Sequence, residues 1–127
     1  MSSTLTDERG GFVSDSIVLT IPAEERYRGV ATLVVGGVGT RIELPYERSD
    51  DLQLAVLSVL DSSDGGTVTL EIDADARDVS LAIGPVRRGS ASDQGLLRVL
   101  SPLVDDVAAE PRGAEEWVRL RLGRGTA

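Results

Sequence analysis

The stretch DGGTVTLEIDADARDVSLAIG, residues 64–84, holds two short runs in which apolar and polar residues alternate. In an extended chain successive side chains point to opposite faces, so Val68, Leu70 and Ile72 share one face, and Val79, Leu81 and Ile83 share another. Residues 74–78 are too polar to belong to either run and form a turn, and Asp64-Gly65-Gly66 stops whatever precedes them. The pattern predicts an antiparallel hairpin with one buried and one solvated face. A sheet of that kind needs a second layer over its apolar face.

Helical spacing supplies that layer on both sides of the hairpin. Upstream, Ile17, Leu19 and Ile21 alternate with Ser16, Val18 and Thr20 up to Pro22, which predicts a strand. Tyr27, Val30, Ala31, Val34 and Val38 then recur at helical intervals, with Gly36, Gly37 and Gly39 weakening the C-terminal end. Residues 41–44 read as a short extended or turn segment closed by Pro45. Ser49 or Asp50 is the expected cap of a second helix through Leu52, Ala55, Val56, Val59 and Leu60. Leu54 and Leu57 fall outside that stripe, so this helix is apolar nearly all round and is buried on two sides or meets a partner.

Downstream, residues 84–93 form a Gly/Ser/Arg loop. A third helix is expected to bury Leu96, Leu100, Leu103, Val104 and Val107, with Pro102 kinking or restarting it. Residues 117–122 alternate as a closing strand. The expected architecture is an α/β (α+β) two-layer sandwich: a mixed, mainly antiparallel sheet with about three helices on one face. Residues 1–15 read as a flexible tail, residues 16–123 as one domain, and residues 124–127 as a second tail.

Composition narrows the chemistry. The core must be aliphatic, since Phe12, Tyr27, Tyr46 and Trp117 are the only aromatic residues among 127. A net charge of −8 opposes nucleic acid and anionic membrane surfaces and suits a basic partner. With no cysteine and no histidine, disulfides, thiolate chemistry, Cys/His zinc sites and imidazole catalysis are excluded. No apolar run approaches the length of a membrane span, and a cytoplasmic protein is expected.

Ile21-Pro22 leading to Tyr27, Gly39 with Arg41, Asp50-Asp51-Leu52 with Ala55-Val56, and Gly95-Leu96-Leu97 before Leu103-Val104-Asp105-Asp106-Val107 form an ordered series across residues 16–122. The series resembles the anti-sigma factor serine-protein kinases of the GHKL (histidine kinase-like ATPase) superfamily. That resemblance implies a Bergerat-like fold, ATP and Mg²⁺ as cofactors, and a sigma factor or an antagonist protein as partner. It also implies a glutamate base and an asparagine Mg²⁺ ligand one turn apart on the second helix, and those places hold Ser58 and Ser62. An adenine-binding aspartate is implied after the hairpin, where Gly84-Pro85-Val86 stands. Of the implied phosphate-cradling glycine turn only Gly95 remains.

The expectation is therefore a degenerate, non-catalytic regulatory domain that binds a protein, without ATP or metal. Asp50, Asp51, Leu54 and Leu57 are its candidate partner surface, and Glu47, Asp50 and Asp51 are equally a helix start stabilised by its dipole. Leu57 could instead fill the abandoned pocket. Two alternatives stand beside this reading. One is an ATP-dependent serine-protein kinase in which Asp61 or Asp64 serves as the acidic ligand, and the other is a homodimeric scaffold built on the second helix. Arg87-Arg88 reads as solvated surface or as an anion clamp. The adjacent carboxylates Asp105-Asp106 and Glu115-Glu116 point apart and read as solvated or capping groups, and Trp117 reads as a core or edge anchor.

Overall fold

The computed structural model describes residues 3–6 and 13–123. Its sheet has six strands in the order β1-β2-β3-β4-β6-β5. They are β1 (Ser3–Thr6), β2 (Val13–Pro22), β3 (Thr67–Ala74), β4 (Asp78–Val86), β5 (Asp106–Arg112) and β6 (Glu115–Gly123). Every neighbouring pair is antiparallel, the limiting case of the mainly antiparallel sheet expected. The hairpin lies at the centre, with Leu70 opposite Ile83 and Ile72 opposite Leu81. All four of these side chains are buried.

Three helices cover that face: α1 (Arg28–Arg41), α2 (Tyr46–Leu60) and α3 (Gln94–Leu100). Inward residues of β2, β3, β4 and β6 join Val35, Val38, Leu52, Val56, Val59 and Leu100 of the helices in a single aliphatic cluster. Gly39 would place a Cβ 3.0 Å from Ser49 Oγ, and Gly36 one 3.4 Å from Gln53 Nε2, so the glycines let α1 and α2 approach closely. These contacts pair descending residues of α1 with ascending residues of α2, so the two helices run antiparallel. α1 ends two residues beyond Gly39, at the C-terminal end that the glycines mark.

Three expectations are corrected. The segment read as a flexible tail contains β1, and β2 begins at Val13, while residues 1–2, 7–12 and 124–127 lie outside the described residues. α2 starts at Tyr46, ahead of the expected cap, since Pro45 supplies the first carbonyl, which accepts from Ser49 N–H at 2.9 Å. The third helix ends at Leu100, not Val107. Pro102 has no N–H to continue the ladder, and the chain turns through Leu103 and Val104, whose N–H groups both bond Leu100 O. Val107 then belongs to β5, opposite Leu120. The β5–β6 hairpin, which alternation alone did not reveal, turns at Gly113, with φ +63°.

On the opposite face of the sheet, side chains of β3, β5 and β6 form a hydrogen-bonded layer. Arg112 donates to Glu71 through both terminal nitrogens (2.8 and 2.7 Å) and to Glu110 through Nε (2.6 Å), and Arg119 Nε also reaches Glu110 (2.7 Å). The Arg112 guanidinium lies 3.9 Å from the Trp117 ring centroid, so Trp117 anchors this outer layer. Among the described residues no helix is long and apolar enough to cross a membrane.

Candidate functional site

Of the residues singled out for nucleotide chemistry, Ser58, Ser62, Asp61 and Asp64 lie at the C-terminal end of α2, where the β4–α3 connection with Pro85 and Arg87 crosses it. Arg87 N–H bonds Ser62 O at 2.8 Å, Asp64 N–H bonds Pro85 O at 3.2 Å, and Ser63 and Val86 form an antiparallel bridge between them. Arg87 Nη1 also donates to Asp61 O (3.3 Å) and Ser63 O (3.1 Å). A guanidinium is favoured there, because carbonyls at a helix C-terminus lack intrahelical donors and carry partial negative charge. Val86 is buried within the common core, and Arg28 forms an ion pair with Asp61. The cavity left beside them, lined by Pro22, Arg28, Leu60, Asp61 and their neighbours, holds about 70 Å³. A small-molecule site takes roughly 300 Å³ or more.

Backbone donors that could hold an anion are taken by the chain's own carboxylates. Gly89, at φ +90°, turns the loop so that its N–H and that of Ala91 both meet Glu116, at 2.8 Å to Oε1 and Oε2 respectively. These two N–H groups, with Arg88 nearby, hold the Glu116 carboxyl below the usual carboxylate range. At the start of α3, Asp93 Oδ2 accepts from Leu96 N–H at 2.8 Å, capping the helix.

No family model matches this chain. Nor does any curated protein.

The predicted site residues thus have definite places. Ser58, half-buried, donates its hydroxyl to Leu54 O of its own helix at 2.9 Å. The Ser62 and Pro85 carbonyls are engaged in the stitch, and Gly95 is exposed in the first turn of α3. Arg88 extends toward Ala114 O at 3.5 Å, and the two arginines make no joint clamp. Among the described residues no three or more Asp or Glu side chains converge where a cation could be held. Of the adjacent carboxylates, Glu115 and Glu116 diverge as expected, to Trp117 and to the Gly89–Ala91 loop. Asp105 accepts from Gly123 N–H (2.6 Å) and from Arg48, while Glu115 accepts from Trp117 Nε1 (3.1 Å).

Asp50, Leu54 and Leu57 share a face of α2 by their spacing of four and three, with Asp51 further round. Asp50 and Leu54 are exposed, and Leu57 is half-buried against the core. Beside them runs an open groove of about 550 Å³ between α1 and α2, lined by Leu33, Gly37, Thr40, Tyr46, Asp50 and Gln53 among others. Sequence reasoning missed this groove, although the twelve uncharged residues 29–40 signalled it. It also missed Glu116 as the loop's anchor, since that contact spans 27 residues and leaves no local pattern.

Proposed function

We propose that the chain is a non-catalytic regulatory protein-binding domain, a degenerate relative of bacterial anti-sigma factors acting in the cytoplasm. The observation that carries this reading is the self-satisfied state of the β4–α3 connection. Its carbonyls and N–H groups are stitched to α2, and Glu116 and Asp93 take N–H groups that phosphates would otherwise use. Serine at positions 58 and 62 supports the same conclusion, because a neutral hydroxyl is a poor base and a poor Mg²⁺ ligand beside carboxylates and water. What remains is a fold that presents surfaces. A sigma factor or its small α/β antagonist is the first partner to try, on the face that carries Asp50 and Leu54.

Isothermal titration with ATP, with and without Mg²⁺, tests the reading. The expected result is no heat of binding and no thermal shift, whereas a ligand at a hundred times its Kd adds about 2.7 kcal/mol of stability. Micromolar, Mg²⁺-dependent binding would overturn it in favour of an ATP-dependent kinase with an unusual pocket.

A further inference from the structure

We propose that β5 is the seam of a homodimer, whatever protein the other faces bind: its free edge pairs antiparallel with the same strand of a second copy, centred on Ala109. β5 is the last strand of the sheet, and among the described residues no strand pairs with its outer edge. Gly113 and Ala114 make a two-residue turn with Arg112 opposite Glu115, so Arg112, Glu110, Ala108 and Asp106 direct their backbone groups to β6. Val107, Ala109 and Pro111 therefore turn theirs outward. The proline stands where its missing N–H costs the fold no ladder bond.

Charge selects both the occupant and its register. If outward groups of two copies are to meet near the middle of the strand, the two-fold axis falls at Ala108, Ala109 or Glu110. At Ala108 it sets Asp106 against Glu110, and at Glu110 it sets that residue against its own duplicate; like charges directly opposite destabilise a ladder. At Ala109 it sets Asp106 of each copy against Arg112 of the other, at both ends of the seven-residue strand. Asp106 is exposed and has no ion pair among the described residues. It would extend the network in which Arg112 already holds Glu71 and Glu110.

The same register matches apolar surface to apolar surface on the face that carries the helices. Ala109 and Pro111 are exposed there, outside the core that half-buries Val107. Ala109 meets its duplicate, and Pro111 of one copy lies opposite Val107 of the other. Beside Val107 is an open hollow of about 270 Å³, walled by Leu97 and Val104, which receives that proline ring. Only Val107 and Ala109 of each copy have an N–H to give to the seam, so self-association at the weak end of specific interfaces is expected.

The test is sedimentation of the full chain across a wide concentration range, with amide exchange of the ¹⁵N-labelled protein measured at both ends of it. A monomer–dimer equilibrium in which the Val107 and Ala109 amides become protected as dimer forms supports the proposal. The deciding variants are Ala109→Lys and Ala109→Glu, at an exposed edge position. Each sets like charges face to face at the axis and should weaken the dimer roughly tenfold or more. Lysine makes an acidic chain less negative, so non-specific association would rise with it instead. Asp106→Arg, which brings two arginines together at each end, should weaken the dimer as well. A chain that stays monomeric at every concentration overturns the proposal. So does a dimer that Ala109→Lys leaves intact, or one that forms without protecting the Val107 and Ala109 amides, as a contact through α2 that Leu54→Glu dissolves would do.

Discussion

At Gly84 the absence of a side chain is a packing requirement, because a Cβ there would overlap the Trp117 ring. Gly84→Ala should destabilise the fold by about 1–3 kcal/mol, the usual cost of overpacking, read from urea or thermal unfolding. A surface alanine substitution at Gly37, where a Cβ meets nothing within 4 Å, is the matched control. Glu116 acts through hydrogen bonds instead. Glu116→Ala leaves the Gly89 and Ala91 N–H groups without their acceptor and should cost about 1 kcal/mol, with faster amide exchange at those two residues. Unchanged exchange would show that water replaces the carboxylate without loss. At this scale the sequence was legible where chemistry is local, as in the diverging Glu115-Glu116 pair. It was silent on Glu116, whose partners are set by the β4–α3 loop folding back over β6.

Among the elements, the strands of the central hairpin, the helical stripe of α2 and the entry to α1 followed directly from periodicity. The α3–β5 region did not, since Leu100, Val104 and Val107 are apolar in a spacing that suits a helix, and Pro102 is compatible with either a kink or a stop. Pairing with β6 decided it: the segment from Asp106 gains a full antiparallel ladder that a longer helix would forgo. The outer face of the sheet is likewise a product of pairing, which brings Glu71 of β3 to Arg112 of β5 across 41 residues of sequence. Arg112→Ala should destabilise by about 1–2 kcal/mol, since it strands two part-buried carboxylates and uncovers Trp117, with solvent screening limiting the loss. Tryptophan fluorescence should shift to the red in the folded state. A variant of wild-type stability and unshifted emission would show that the network is ornamental.

For the molecule as a whole, ionisation ties stability to pH. Glu71 is held below the usual carboxylate range by hydrogen bonds from Arg112, Asp105 by the Gly123 N–H and then Arg48, and Glu116 by the Gly89 and Ala91 N–H groups. For Glu110 burial acts the other way, but hydrogen bonds from Arg112 and Arg119 outweigh it. Carboxyls depressed in the folded state contribute stability above their unfolded values, about 4, and lose it as pH falls through the folded ones. Unfolding midpoints should therefore be flat above about pH 5 and fall steadily below about pH 4, more gently at high salt. Midpoints that rise on acidification would contradict these assignments. The order of residues alone established an aliphatic one-core α+β chain, a central hairpin under helices, and no imidazole or thiol chemistry, because alternation, helical spacing and composition are properties of neighbouring residues. Which segments became edge strands, how the β4–α3 loop came to be sealed by Arg87, Glu116 and Asp93, and where an uncharged helix face opened into a groove beside acidic α2 were decided in three dimensions. The Arg87 and Glu116 contacts join residues 24 to 27 positions apart, and such contacts leave no period in the sequence.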